Sequence, residues 1–307
     1  MIAMLLLRKI IQLFVIMVIG FFLAKLRLVR SSESGILSKC TLYLFVPAAI
    51  INAFDFEMTG ELGQGLLLAF AAAFVIHLLF FALDRACSGV LGDDCVSRAS
   101  VLYPNSGTLI IPIVTSVLGA DWVVYSTAFL SVQVLFLWTH GARMFSGEKK
   151  IQWKKIVLNT NIIAIVCGLL LLLCGWRLPV FVKEITTSFS GMVGPVSMLL
   201  AGILAADIDV RQVLADRKIY LVSLLRLLVF PMVTLVLLKI MALLPIVNAS
   251  AILLISFLAS MAPSAATIMQ FAQLKNRNAS LAVSVHIVTT VLSVVTMPIL
   301  VALYQGI

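Results

Sequence analysis

Tyr-Pro-Asn-Ser-Gly-Thr-Leu-Ile-Ile-Pro, residues 103–112, lies inside an apolar run that otherwise reads as a membrane-spanning helix. Proline removes a backbone donor and clashes with the preceding turn, and glycine loosens the helix. Asparagine brings a polar amide into hydrocarbon, where unsatisfied groups cost several kcal/mol. Unwound backbone survives at membrane depth only where protein buries it or a wet cavity satisfies it. The stretch therefore reads as a deliberate break in a spanning helix.

The 307 residues that contain it are 62% hydrophobic and 11% charged, with a mean hydropathy of +1.16. That is too little polar surface for a soluble globular domain, and it points to an all-α polytopic membrane protein. Ten apolar spans follow one another, at about 3–24, 36–54, 62–83, 97–119, 122–141, 156–175, 187–206, 218–240, 249–273 and 280–304. Most are near the ~20 residues that cross a bilayer core. The connections are short, so no separate soluble domain is expected. Arg8 and Lys9 before an apolar stretch resemble a secretory leader, but no small-residue cleavage site follows.

The net charge of +9 belongs with cytoplasmic loops rather than with nucleic acid. Loops after odd-numbered spans hold sixteen basic residues, among them Lys25, Arg27, Arg30, Arg143, Lys149, Lys150, Lys154, Lys155, Lys275 and Arg277. The opposite side holds five: Arg8, Lys9, Arg177, Lys183 and Lys239. This asymmetry places both termini outside, as in a bacterial cytoplasmic (inner) membrane protein, with the 5–6 loop inside.

Weak internal repetition accompanies the spans. Gly-Phe-Phe-Leu-Ala-Lys-Leu-Arg-Leu at 20–28 has a counterpart in Gly-Leu-Leu-Leu-Leu-Leu-Cys-Gly-Trp-Arg-Leu at 168–178. Gly20 to Gly168 and Pro47 to Pro195 share one spacing, and Pro104 in span 4 is matched by Ala-Pro-Ser-Ala-Ala, 262–266, in span 9. Five spans per half is an odd number, so the second half inserts upside down. Residues 1–148 and 149–307 then form two inverted five-helix repeats, an architecture of secondary transporters.

The stretch Pro-Asn-Ser-Gly-Thr-Leu-Ile-Ile-Pro also resembles the Asn-x-Gly-x-x-Gly-x-Pro segment of the auxin efflux carrier family. That family includes plant PIN-type carriers and bacterial malate-permease-like proteins, within the bile-acid/auxin/arsenite-type transporters. Similar segments are Phe-Val-Pro-Ala-Ala-Ile in span 2, Leu-Trp-Thr-His-Gly in span 5 and Arg-Leu-Leu-Val-Phe-Pro in span 8. Met-Ala-Pro-Ser-Ala-Ala in span 9 and Ser-Val-Val-Thr-Met-Pro in span 10 complete the order. Ile110 and Ile111 precede Pro112, so the second glycine of the family pattern is absent. The resemblance implies that broken spans 4 and 9 cross at mid-membrane with substrate at the crossing. It further implies that spans 1, 2, 6 and 7 form a scaffold, while spans 3–5 and 8–10 carry the site.

A broken helix exposes half-helix N-termini, which attract anions through free N–H groups and partial positive charge. Pro104, Asn105, Ser106 and Gly107 in span 4, with Pro263, Ser264 and Thr267 in span 9, are the candidate substrate-binding residues, and Gln133 of span 5 joins them. All thirteen acidic residues lie in loops or at span ends, so no embedded carboxylate is available as a proton relay. The deep charge-bearing candidates are His286, His77 and Arg226. His286 is the better proton sensor, and His77 reads equally as a packing residue. Arg226 either contacts substrate or snorkels to the interface. Gln133, Gln270 and Gln273 line a cavity or bond neighbouring helices. Asn159 and Asn161 resemble an asparagine motif of the plant carriers, with Thr160 in place of its proline.

Other chemistry finds no support. Residues 141–149 lack the spacing of a phosphate loop, five cysteines make an odd number, and three scattered histidines give no metal-ligand spacing. No cofactor is expected. The expected protein is a secondary active transporter moving a small organic anion, a carboxylate, by alternating access. It lies in a lipid bilayer, is coupled to a proton or a sodium ion, and is compatible with a homodimer. An uncoupled facilitator for the same anions is the first alternative, and an intramembrane lipid-modifying enzyme the second. Topology can be checked directly. Gly60→Cys and Asp121→Cys should react with an impermeant thiol reagent in intact cells, whereas Gly147→Cys and Asn276→Cys should react only after permeabilisation; the reverse pattern inverts the orientation.

Overall fold

The structure is a computed structural model that describes residues 2–55, 60–107, 110, 114, 118–119, 122–147, 157–209, 211 and 215–306. Among them it is helical, without a strand. The helices are α1 (Ile2–Lys25), α2 (Ser31–Ala53), α3 (Gly60–Ala86), α4 (Cys95–Leu102) and α5 (Val123–Ser146). They continue with α6 (Thr160–Leu173), α7 (Val180–Ala205), α8 (Arg217–Met241), α9 (Ala249–Ser260), α10 (Ala266–Leu274) and α11 (Ala279–Gly306). Six of these (α2, α3, α5, α7, α8 and α11) are long and apolar enough to cross a membrane, and shorter apolar helices accompany them. Helix α3 shows why. Ala69, Ala72, Ala73, Ile76 and Phe80 face the core, while Leu67, Phe74 and Leu78 on the other side are exposed and equally apolar. A helix apolar all round needs lipid or protein on every face.

The helix limits differ from the sequence expectation in informative places. Span 7 starts at Val180 rather than 187, because Lys183 and Glu184 are carried in its first turns instead of in a loop. Span 6 starts at Thr160, where the Asn159 side chain accepts from the N–H groups of Asn161 (2.9 Å) and Ile162 (3.4 Å). Asn161 in turn donates to the Leu42 carbonyl at 2.9 Å. Asn159 therefore caps α6, and Asn161 ties its first turn to the interior of α2. Span 9 is split into α9 and α10, with 261–265 between them. In span 4, α4 stops at Leu102 and helix resumes at Ser106. The expectations for Pro112, for Lys149–Lys155 and for the 148/149 repeat boundary lie outside the described residues.

Three helices contain a widened π turn: Thr41–Phe45 in α2, Leu137–Gly141 in α5 and Leu225–Val229 in α8. In α2 and α8 a proline follows at once, Pro47 and Pro231. The wide turn relieves the clash of the proline ring with the carbonyl behind it. Pro195 instead sits inside the continuous α7, so the Pro47–Pro195 correspondence in sequence does not extend to local geometry.

The helices pack in two groups. Helix α7 lies against α1 and α2, and α2 against α6. In the second group α3 packs on α5 and α9, α8 on α4, α9 and α11, and α10 on α11. Helices α1 and α7 approach so closely that glycine is required. A Cβ on Gly202 would stand 1.9 Å from the Met17 carbonyl oxygen, and one on Gly20 would stand 2.2 Å from that of Leu199. Gly168 meets the Phe54 ring in the same way, at 2.3 Å. Just past the end of α2, Asp55 is bonded by Lys183 Nζ (2.6 Å) and the Leu178 N–H (3.2 Å), with Arg177 at 3.7 Å. Burial pushes the Asp55 carboxyl up, but these cationic and N–H partners outweigh it and hold it below the usual carboxylate range.

Gly202→Ala should lower the melting temperature of the purified protein, because overpacking costs about 1–3 kcal/mol. Gly191→Ala on the same helix, where nothing lies within 4 Å of the new Cβ, should not. The Asp55 cluster makes a separate prediction with a defined sign. A depressed carboxylate contributes fully above its unfolded value and is lost as pH falls through the folded one. Asp55→Asn should therefore cost about 1–2 kcal/mol at neutral pH, the low end because Arg177 and Lys183 are half open to solvent. It should also remove the acid limb of the stability profile attributable to this group; an unaltered limb would show that Asp55 contributes nothing there.

Candidate functional site

The two helix breaks are hydrogen-bonded to each other. The Asn105 N–H donates to the Pro263 carbonyl at 2.7 Å, and the Ala265 N–H donates to the Tyr103 carbonyl at 2.9 Å. Together they form an isolated antiparallel bridge between Pro104 and Ser264. Each proline lacks an N–H, and each is flanked by extended backbone, with Tyr103 at φ −110°, ψ 109° and Ala265 at φ −64°, ψ 135°. The breaks are thus one structure built from two halves of the chain.

Side chains meet several further carbonyls at the breaks. Gln133 Nε2 gives one to the Pro104 carbonyl (2.6 Å), and Gln133 Oε1 accepts from the Ser106 hydroxyl (2.5 Å). His286 Nδ1 donates to the Ser264 carbonyl at 2.8 Å, and Thr289 Oγ1 accepts from the Ser264 N–H at 3.2 Å. Arg226 Nε donates to the Ala262 carbonyl (2.9 Å), Nη1 to that of Val101 (2.8 Å), and Nη2 to that of Ser260. Tyr103 anchors the first break from the side, its hydroxyl bonding the Phe136 carbonyl at 3.1 Å and lying 2.9 Å from His140 Nδ1.

Among the buried side-chain atoms of the described residues that have no protein partner are Asn105 Nδ2, Ser264 Oγ and His286 Nε2. Asn105 lines a cavity of about 120 Å³. That is well above the roughly 10–15 Å³ that admits one water. Its walls come from both helix groups: Val46 and Ala49 of α2 and Val193 of α7 on one side, Pro104, Gly107, Gln133, Trp138 and Thr267 on the other. Among the described residues the lining contains no charged side chain. It does include the start of α10, where the Ile268 N–H bonds the Ala265 carbonyl at 3.1 Å and the N–H groups before it have no preceding turn to bond. The Pro104 carbonyl is already bonded here, whereas the Asn105 amide N–H is not. The arrangement suits an anion better than a cation.

The structure thus brings Pro104, Asn105, Gly107, Thr267 and Gln133 to one cavity wall, with Ser106, Pro263 and Ser264 buried directly behind. His286 stands against the second break but does not line the cavity. His77 is elsewhere: its Nδ1 donates to the Ala73 carbonyl at 2.7 Å, and its ring lies among Phe80, Phe129 and Phe136. The snorkelling alternative for Arg226 is corrected, since its side chain is 0% exposed and turned inward onto three carbonyls. Gln270 and Gln273 bond neighbouring helices, through Ser197 (3.2 Å) and through Ser34 (2.8 Å) and Ser38 (2.5 Å).

Tyr103, Thr289 and the scaffold-side residues of α2 and α7 were not singled out from sequence. Thr289 follows His286 by three residues on one helix face, a spacing that could have marked it. Nothing in the sequence aligns Ala49 or Val193 with the breaks, because that contact depends on how the helix groups pack.

A family model of membrane transport proteins matches residues 5–152 and again 148–301. No curated protein matches the chain. The matched stretches span nearly all of an integral membrane chain whose two halves meet at paired helix breaks, and the chain belongs to this membrane transport protein family, that of the auxin efflux, PIN-like carriers.

Proposed function

We propose that this transport protein is a secondary carrier for a small organic anion, a carboxylate, and that it works by alternating access. In this reading the ten spans form two inverted five-helix repeats, and broken spans 4 and 9 cross at mid-membrane. The observation that carries it is Asn105, which lines a cavity without charged side chains among the described residues, beside the N-terminus of α10, and whose buried amide Nδ2 has no protein partner. A carboxylate there receives directional hydrogen bonds from Asn105 and Thr267 and the positive end of a half-helix dipole. No compensating arginine is needed. The cavity lies between the two helix groups, so movement of one group past the other would change its access from one side of the membrane to the other. His286 is the candidate for proton coupling, because Nδ1 is committed to the Ser264 carbonyl while Nε2 has no protein partner.

The deciding experiment presents mono- and dicarboxylates to the purified protein and then to proteoliposomes. Saturable binding with uphill accumulation supports a coupled carrier, and equilibration alone supports a facilitator. Turnover of lipid without transport would establish the enzyme reading instead. Asn105→Ala should reach the membrane normally and weaken binding about ten- to hundredfold, the effect of losing one hydrogen bond of about 1.5–3 kcal/mol to a charged group. Pro104→Ala restores a backbone donor and lets the helix ladder close through the break, so it should abolish uptake at near-normal expression. Pro245→Ala, in the exposed link between α8 and α9, is the matched control and should retain it. Parent-like uptake by both Asn105→Ala and Pro104→Ala would make the break a packing kink.

A further inference from the structure

Arg226 occupies an unusual position for a cation. It is fully buried, and no carboxylate is paired with it among the described residues. Its guanidinium lies over the Phe80 ring, 5.3 Å from the centroid. The wide turn Leu225–Val229 ahead of Pro231 carries it inward. All three of its nitrogens donate to main-chain carbonyls at the two breaks: Val101 in the last turn of α4, Ser260 at the end of α9, and Ala262 just beyond.

Two half-helices therefore point their C-terminal ends at one side chain. Each such end carries about −0.5 elementary charge, so the pair sums to about −1, which one guanidinium balances. Free carbonyls and half-helix C-termini at membrane depth are also the groups with which broken-helix carriers hold a sodium ion or a proton.

We propose that Arg226 is a tethered counter-cation. It fills permanently the carbonyl cage that the two breaks would otherwise offer to a dissociable coupling cation. The planar guanidinium suits this better than an ammonium, because its fixed fork reaches three carbonyls from two chain segments at once. It follows that no sodium ion is taken up at this cage, and that shortening the side chain opens a monovalent-cation site there. The consequence for coupling rests on the carrier reading above; the cage itself does not, and its test needs no substrate.

The experiment measures melting temperatures of detergent-purified parent and variants in choline chloride, with sodium, lithium or dilute guanidinium chloride substituted at equal ionic strength. The parent should not distinguish sodium or lithium from choline. Arg226→Ala should melt lower and regain about 2–4 °C with guanidinium or with a small alkali cation. If Arg226→Ala does not accumulate, charge is tested by Arg226→Lys against Arg226→Gln: the lysine variant should accumulate and the glutamine variant should not. Saturable sodium-specific stabilisation of the parent overturns the proposal. So does an Arg226→Ala protein that melts like the parent or gains nothing from any cation, and so does equal accumulation of the lysine and glutamine variants. Failure of every carboxylate to bind the parent counts against the carrier reading and leaves these melting results intact.

Discussion

Two hydrogen bonds, Asn105 N–H to Pro263 and Ala265 N–H to Tyr103, are the constraint on which the rest of this structure depends. Hydrocarbon offers no partner for unwound backbone, so a spanning helix can open only where another chain segment answers it. Here each break answers the other. The requirement then spreads outward. Prolines at 104 and 263 remove donors, so fewer N–H groups need acceptors. Gln133, His286 and Arg226 take up five further carbonyls, and Thr289 takes up the Ser264 N–H. Polar residues that look scattered over spans 5, 8 and 10 are a single shell around one irregular piece of backbone.

That accounting also shapes the site. Because the break carbonyls are consumed inside the protein, the cavity wall retains donors: the Asn105 amide, the Thr267 hydroxyl and the first turn of α10. The two ends of the broken helices are thereby separated in function. Their N-terminal ends face the cavity, and their C-terminal ends face Arg226. In the proposed reading the first attracts the transported anion and the second is neutralised in place. The C-terminal ends of α4 and α9 and the N-terminal end of α10 therefore do not compete for one ligand.

The packing of the two helix groups rests on a different principle. Lipid gives apolar side chains no reason to prefer protein, so close approach must come from shape. Gly20 and Gly202 let α1 and α7 touch backbone to backbone, and Gly168 admits the Phe54 ring. One end is tied by Asp55, whose partners are Arg177 and Leu178 of the link between α6 and α7 and Lys183 in the first turns of α7. The second group has its own tie on the other side of the molecule, where Arg98 of α4 meets Asp84 of α3 at 2.5 Å. Cavity and breaks lie between a glycine-packed group and a polar-shelled one.

Composition and span length were enough to read a polytopic helical membrane protein, and the prolines of residues 103–112 and 262–266 were enough to place both breaks. These are local properties: hydrocarbon demands apolar spans, and proline interrupts a helix wherever it stands. Asn105, Gln133 and Thr267 were legible for the same reason, as polar groups in spans that should have none. The partners of those groups were not. Arg226 sits a few turns from the start of its span, where a long cationic side chain ordinarily reaches water. Only the convergence of α4 and α9 gives it three carbonyls to turn toward. His77 and His286 look alike in sequence, yet one lies among phenylalanine rings and the other bonds a break. A helix period says which face a residue occupies, not which helix comes to meet that face, and that was decided by the tertiary structure alone.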